Sequence, residues 1–441
     1  MGNYTRNEIL ELIDEEDVEF VRLQFTDMFG NLKNIAIPAG RVEMAMDGKY
    51  DIDFASIAGF GHREEKVLYL MPDLNTFSIL PWRPQQGKVA RFICDIVNED
   101  GTEYSAGSRN ILKNIVDRYA AEGYVFEINP ECEFFLFHSD ENGLPTTLTH
   151  EKAGFLDTSP IDLGENTRRE IILMLEEMDY EIASSHHENA PAQHEIDFTY
   201  EDAFSTADKI MTFKTAVRTI AKRYGLHATF MPKPKTDADG SGMHIKMRLM
   251  KDGRNVFEDE NGGISDVGRA FLAGILAHAK GMTAICNPLV NSYKRLVPGF
   301  EAPSELTWST TQKNVLVHVG SKKDTGVELE LRSPDAASNP YLVFAVCLAA
   351  GMDGIKKGLK AQEELTCDIR KLDEQQIEDM GIEVLPENLG DAILAMKSDE
   401  LVCSVLGEDL SRRYQKAKIT EWKGYLEQVS EWEISKYLYL V

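Results

Sequence analysis

An α+β protein of two units is predicted, a small β-rich unit followed by a larger one in which strands alternate with helices. Three observations carry that expectation. At 441 residues the chain is longer than a single hydrophobic core ordinarily supports. Short segments of apolar residues with strand-like spacing crowd the first hundred positions. From Ser108 onward the texture changes, and segments with helical spacing take turns with strand-like ones.

The first unit opens with a helix, because Thr5-Arg6-Asn7-Glu8 has the form of a capping box. Residues 18–25 alternate, and the turn at Gly30-Asn31 leads into Ile35-Ala36-Ile37, which predicts a hairpin. Residues 67–70, 77–80 and 89–96 are further strand-like runs, and Asn98-Glu99-Asp100-Gly101 is a turn. In the second unit helices are predicted over residues 111–119, 167–178, 207–224, 267–279 and 341–359. Asn339-Pro340 marks the start of the last, with proline placed where a missing backbone N–H does no harm. A domain boundary is expected near residue 105, giving units of 1–105 and 106–441. Neither a fixed-period repeat nor a low-complexity tract is present, which excludes a solenoid or a disordered tail.

Composition excludes several partners. The 73 acidic and 47 basic side chains give a net charge of −26, which opposes non-specific binding to nucleic acid or anionic lipid. The uncharged apolar run over residues 341–352 is too short to cross a bilayer and reads as a buried helix. The polar, acidic start lacks the apolar core of a signal peptide, and the six cysteines contain no Cys-x-x-Cys pair. A cytoplasmic protein with reduced core thiols is expected.

Three stretches alternate apolar and charged residues so that one face of each strand carries groups suited to metal ions and phosphates. Glu131 and Glu133 share a face, as do His244, Lys246 and Arg248, and Glu328, Glu330 and Arg332. The apolar run after Glu133 takes its strand into the core, where two carboxylates repel each other and resist desolvation unless cations neutralise them. A further cluster adds Glu188 and Glu195, and His244 follows the glycine-rich turn at Gly240-Ser241-Gly242. Oxygen-rich ligands with one imidazole favour Mg²⁺ or Mn²⁺ over zinc. Any one of these glutamates alone is ordinarily a solvated face, and His186, His187 and His194 read as hydrogen-bonded structural histidines. Their coincidence in one chain is what points to a metal–phosphate site.

The stretches Asn129-Pro-Glu-Cys-Glu-Phe-Phe-Leu-Phe137, His186-His-Glu-Asn-Ala-Pro-Ala-Gln-His-Glu-Ile-Asp-Phe198, Phe230-Met-Pro-Lys-Pro234 with Gly240-Ser-Gly-Met-His244, Asn291-Ser-Tyr-Lys-Arg-Leu-Val-Pro-Gly-Phe-Glu-Ala-Pro303 and Leu331-Arg-Ser-Pro-Asp-Ala-Ala-Ser-Asn-Pro-Tyr341 closely resemble motifs of bacterial type I glutamine synthetases. Leu74-Asn-Thr-Phe77 and Gly87-Lys-Val-Ala-Arg-Phe-Ile-Cys-Asp95 extend the resemblance into the first unit. The resemblance implies a β-grasp domain, then a catalytic domain built on an antiparallel sheet with flanking helices, in a homo-oligomer of two stacked hexameric rings. It implies one metal on Glu133, Glu188 and Glu195, and a second on Glu131, His244 and Glu330. Arg295 would hold the α-carboxylate of glutamate, Gly240 its amino end and Arg332 the reacting γ-carboxyl, with Asp239 also among the glutamate-binding residues. Glu301 matches the flap over the intermediate, and Asp53 the ammonium-binding aspartate lent by a neighbouring subunit. ATP would lie against Lys246, Arg248, Lys313, His318 and Glu328, with Lys313 also acting on the transferring phosphoryl group.

Several positions depart from the pattern. Gln312-Lys313-Asn314 stands for the usual Asn-Arg-Ser, and His318 for a second Arg; Lys lacks the planar fork of Arg. Glu328 stands where Arg is frequent, Arg248 for Ser, Lys246 for His or Asn, Phe155 for Tyr and Asp239 for Asn. If their strands are neighbours, Arg248 and Glu328 are expected to pair. His62 replaces an Arg of feedback-regulated relatives, and residues 368–389 contain no tyrosine matching an adenylylated loop. The first reading is therefore an ATP- and Mg²⁺-dependent glutamate–ammonia ligase. A γ-glutamyl ligase for a larger amine is the second, motivated by Phe155, and a non-catalytic metal- or glutamate-binding paralogue is the third. Retention of every metal-ligand position weighs against the third.

Overall fold

A computed structural model describes residues 4–57, 67–297, 302–322 and 325–441. His62 and Glu301 lie outside the described residues.

The N-terminal unit is a five-stranded sheet with a helix on it. Helix α1 (Arg6–Glu15) starts at the expected capping box, with Thr5 and Glu8 each accepting from the other's backbone N–H, and it buries Ile9 and Ile13. Strands β1 (Val18–Thr26) and β2 (Leu32–Pro38) form the predicted hairpin, in which Val21 faces Ile37. Its turn is closed by Gly30 at φ 80°, a left-handed conformation that glycine adopts without strain. Helix α2 (Val42–Met46) and strands β3 (Tyr50–Ile52), β4 (Leu68–Ile79) and β5 (Lys88–Asn98) complete the unit in the order β2-β1-β5-β4-β3. The contact of β1 with β5 is parallel and the others are antiparallel. The two strand-like runs expected at 67–70 and 77–80 are a single strand, because its register slips between Asp73 and Ser78 without breaking. There the Thr76 hydroxyl accepts from the Ile93 N–H.

The second unit is built on a larger sheet. Helix α3 (Ser108–Ala120) leads into β6 (Tyr124–His138), and α4 (Glu165–Glu176) into the hairpin β7 (Ile182–His187) and β8 (Gln193–Phe198). The short β9 (Glu201–Asp202), helix α5 (Ala203–Arg223) and β10 (Leu226–Thr229) precede β11 (Met243–Lys251) and β12 (Arg254–Asn255). After helix α6 (Asp266–Cys286) come β13 (Trp308–Ser309), β14 (Val317–Lys322) and β15 (Gly326–Leu331). The main path runs β13-β14-β15-β11-β6-β8-β7 and is antiparallel apart from the β13–β14 contact.

Helix α7 (Pro340–Lys357) is buried along most of its length, as its uncharged sequence predicted, and Asn339 caps it. It crosses α6 at glycines: a Cβ on Gly274 would fall 2.1 Å from the Ala350 carbonyl oxygen. Helices α8 (Glu374–Asp379), α9 (Leu389–Ser398), α10 (Glu400–Leu426, kinked at Gly407) and α11 (Glu431–Tyr437) close the chain. Among the described residues, no helix is long and apolar enough to cross a membrane. All six cysteines are free; four are buried, but Cys367 is exposed and Cys403 half-buried, so the expectation of core thiols fails at those two. Cys367 lies in a surface segment, where no apolar neighbours are needed.

The units are joined by Arg109 of α3. Its guanidinium bonds Asp73 and Asp95 of the first sheet at 2.7 and 2.5 Å, and Asp208 of α5 at 2.8 Å.

Candidate active site

Strand pairing turns sequence alternation into a two-dimensional array of charged side chains. Antiparallel register sets Glu133 opposite Glu195, which faces His186 in turn. One step along, Glu131 stands between Asp197 and His244. Beyond these, Glu330 lies between Lys246 and His318. Register partners project to the same face of a sheet, so three rows of polar groups share one surface.

Ligand atoms of Glu131, His244 and Glu330 lie within 4.8 Å of one another, the grouping expected for one metal. His244 Nδ1 is 3.3 Å from both carboxylates, while its Nε2 is buried without a hydrogen-bond partner. Burial would raise the pKa of Glu131, but the hydrogen bond from His244 and nearby positive charge hold it at about 2. Glu330 is also held well below the usual carboxylate range against the effect of burial, by His244, His318 and Arg332.

Glu188 and Glu195 gather with His186 in a second such group, and Glu131, Glu195 and Asp197 form a third. Burial, reinforced by Asp197, Glu133 and Glu131, drives the Glu195 carboxyl well above its ordinary pKa. Glu133, expected beside Glu188 and Glu195, faces Glu195 in the register, and its carboxylate accepts from Gln193 Nε2 and the Gly242 N–H, both at 2.9 Å. His187 and His194 are buried: both His187 nitrogens are engaged, Nε2 by Glu151 at 2.7 Å and Nδ1 by the Glu188 carbonyl, whereas His194 meets Arg168 through Nδ1 at 2.8 Å and its Nε2 has no partner among the described residues.

The donor set fits divalent cations. It is mostly oxygen, a buried imidazole nitrogen is left without a partner, and mutually repelling carboxylates are compressed onto one face. Such a cluster resists burial unless positive charge is supplied.

Arg295 lies beside this face, 2% exposed, and its guanidinium donates to the carbonyls of Arg332, Ser333 and Pro334. Arg332, just past β15, donates to Glu330 at 2.6 Å. Gly240 must be glycine here, since a Cβ would fall 2.2 Å from the Pro232 carbonyl oxygen, and at Gly242 a Cβ would fall 2.4 Å from Arg295 Nη2 and push that guanidinium aside. Asp239 is half-buried. Asp53 is exposed in the N-terminal unit, with the Ser56 hydroxyl donating to it at 3.0 Å.

The N-terminal residues 17–99 match the family described as glutamine synthetase, beta-Grasp domain, and residues 105–437 match glutamine synthetase, catalytic domain. The chain belongs to the glutamine synthetase family. It is 50% identical over 440 residues to a glutamine synthetase of Clostridium saccharobutylicum, covering 99% of each. A Staphylococcus aureus glutamine synthetase is 45% identical over 438 residues, covering 99% of this chain and 98% of that protein. Among solved structures, the one described as GmaS/ADP complex-Conformation 1 superposes with a TM-score of 0.89 at 31% identity, over 97% of this chain and 99% of that one. Plasmodium falciparum glutamine synthetase shares the fold, with a TM-score of 0.86 at 24% identity over 99% of each chain.

Within this glutamine synthetase fold the departures take a defined arrangement. Arg248 and Glu328 do lie on adjacent strands, but Arg248 donates to Glu127 at 2.6 Å and to the Thr325 carbonyl. Tyr200 connects the pair: the Arg248 guanidinium sits 3.8 Å from its ring centroid, and its hydroxyl donates to Glu328 at 2.7 Å. The expected direct pairing of Arg248 with Glu328 is therefore not formed: Arg248 pairs with Glu127, and Tyr200 stands between it and Glu328. His318 sits 3.3 Å from Glu330, whereas Lys313 is exposed on the loop before β14. Phe155 is 55% exposed and sets its ring edge-on to His186.

Tyr200, Glu127, Gln193 and Asp197 were missed by sequence reasoning. Two carried a usable signal: residues 193, 195 and 197 share a face of β8 by simple alternation. Tyr200 and Glu127 carried none, since their relation to Arg248 depends on strand pairing.

Proposed function

We propose that this chain is a glutamate–ammonia ligase that makes glutamine with ATP, through γ-glutamyl phosphate, in nitrogen metabolism. The observation that carries the reading is the gathering of Glu131, His244 and Glu330 beside Glu188 and Glu195, in a chain half-identical to a glutamine synthetase along its whole length.

A carboxylate is inert toward amines at neutral pH, so the γ-carboxylate must first receive the terminal phosphoryl group of ATP. ADP leaves in that step. Divalent ions, Mg²⁺ or Mn²⁺ by donor chemistry, would be held by Glu131, His244 and Glu330 and by Glu133, Glu188 and Glu195, and would offset the charge of the two anions. On this reading Arg295 binds the α-carboxylate, Gly240 the amino end and Arg332 the γ-carboxyl, with Asp239 also among the glutamate-binding residues. Lys313, His318, Lys246, Arg248 and Glu328 face the nucleotide; a structural relative has been solved with ADP. Ammonium gives a proton to Asp53 or Glu301, and the ammonia attacks the acyl carbon. The C–N bond forms as the bond to phosphate breaks, and phosphate departs.

The family assembles as oligomers, and we assign this chain to a dodecamer of two hexameric rings in the cytoplasm, with Asp53 serving a neighbouring site and the domain boundary near residue 105. Phe155 favours one second reading. An exposed ring against His186 offers apolar surface where a hydroxyl is usual, which suits an alkylamine better than ammonium.

One assay separates the readings: purified protein with ATP, Mg²⁺ and glutamate, measuring phosphate release against ammonium, alkylamines and polyamines. Ammonium-dependent release is the expected result. Release only with a larger amine would install the second reading, and none with any amine would end both.

A further inference from the structure

A recess of about 300 Å³ lies where α5, α10, the 29–32 turn of the N-terminal unit and the segments around residues 230, 288 and 336 meet. Its lining includes Lys214, Arg218 and Lys418 and, among the described residues, contains no Asp or Glu. That is unexpected in a chain with 73 acidic and 47 basic side chains. None of these residues belongs to the candidate active site.

Two of the three cations lack an ion-pair partner among the described residues. Lys214 is 4% exposed, and its ammonium donates to the Ser338 carbonyl at 3.0 Å. Among the described residues, no carboxylate comes within ion-pair distance of Lys214 or Arg218. Burial lowers the Lys214 pKa to about 8, as expected of an ammonium held in a dry environment. Arg218 stands over the ring of Phe230, 5.1 Å from its centroid, on an exposed part of α5. Lys418 is 3% exposed and bonds Glu421 at 2.8 Å. Asp27, the acid of the adjoining turn, is 1% exposed and accepts from the Phe29 and Asn31 amides.

Of the three cations only Lys418 has an ion-pair partner among the described residues, Glu421, so two cationic donors face a space of small-molecule size. We propose that the recess bounded by Lys214, Arg218 and Lys418 binds a small dianion of the phosphate or dicarboxylate class. Lys214 at 4% exposure supplies a desolvated ammonium, and Arg218 on the exposed helix face supplies a planar donor that can pair two oxygens. Two cationic donors without an ion-pair partner match a doubly charged anion better than a singly charged one. The recess also adjoins the site: Pro288 and Leu289 line it, and Arg295 follows on the same segment.

The test is equilibrium dialysis of the full-length oligomer, stripped of divalent ions and free of nucleotide so that metal-dependent anion binding in the active site is suppressed. Inorganic phosphate and succinate are the probes, with chloride as control. Saturable millimolar or tighter binding of one dianion per chain is expected, with the preferred probe identifying the class. Arg218→Ala should weaken it at least about tenfold, the loss of one charge-assisted hydrogen bond. Lys214→Met should abolish it, and Arg218→Ala should keep wild-type turnover and oligomeric mass, since Arg218 is exposed and outside the active site. No saturable binding of either probe, or binding that survives Arg218→Ala unchanged, overturns the proposal.

Discussion

Lys246 and Glu131 form an ion pair across adjacent strands, so an ammonium occupies a carboxylate that also meets His244. Both side chains are mostly buried, 13% and 15% exposed, and their attraction is little screened. A divalent ion at this position must compete with that ammonium. Replacing Lys246 with Met should tighten Mn²⁺ binding by about tenfold, a change of about 1.4 kcal/mol that one nearby charge readily supplies. Titration followed by electron paramagnetic resonance would read it, and weaker binding in the variant would show that Lys246 does not oppose the ion.

Removing a ligand should act in the opposite sense. Glu330→Ala takes a carboxylate from the group with Glu131 and His244. Phosphate release should fall at least about a hundredfold, and chelation should do the same to the wild type, reversibly on adding Mg²⁺. Near-normal turnover in a folded variant would remove this cluster from the reaction.

Gly242→Ala tests the position of Arg295. The new methyl group meets the guanidinium at 2.4 Å, so the arginine must shift away from its present donors. The expected result is a rise of about tenfold in KM for glutamate with a smaller change in kcat, if Arg295 binds the α-carboxylate. Unchanged KM would detach Arg295 from substrate binding.

Tyr200 contacts both Arg248 and Glu328, and Glu328 is 3% exposed. Tyr200→Phe removes a donor from a buried carboxylate and should cost about 1–3 kcal/mol of stability. A double-mutant cycle of Tyr200→Leu, which removes the ring, with Arg248→Met should show coupling above about 0.5 kcal/mol, because the guanidinium lies on that ring. Strict additivity in denaturant titrations would mean that the contact carries no energy.

His278 of α6 binds Asp399 at 2.8 Å and Asp353 of α7 at 3.1 Å, and these carboxylates, Asp399 foremost, raise its pKa above 6.5 despite burial. A group with a raised folded-state pKa stabilises the fold fully below its unfolded value and loses that contribution as pH climbs through the folded one. The melting temperature should therefore decline as pH rises through and above neutrality, and His278→Gln should flatten that decline. A wild-type and variant pair with parallel pH profiles would contradict the assignment.

The strands of the site were legible because a two-residue period survives folding: Glu131, His244 and Glu330 were on the correct faces before any pairing was known. Helices α1 and α3 to α7 were legible in their middles, whereas α2 and α8 to α11 were not read from the sequence. The last two turns of α6 were not, since Gly281 weakens the local signal; it is needed because Asp399 leaves no room for a side chain. Strand β4 looked like two because its irregular stretch is repaired by Thr76 from within the sheet. The partners of Arg248 and the amides held by Glu133 come from distant segments, so nothing local marks them.

Arg109 gives the two units a common fate. It is 5% exposed and bound to three carboxylates, two in the N-terminal sheet and one in α5. Pulling the first sheet away would break two of these three ion pairs and expose Met28, Leu80 and Trp82, which pack into the core of the larger unit, to water. Heating should accordingly melt both parts together in a single calorimetric peak, and a truncated N-terminal fragment would be a poor stand-in for the sheet as it exists in the whole chain.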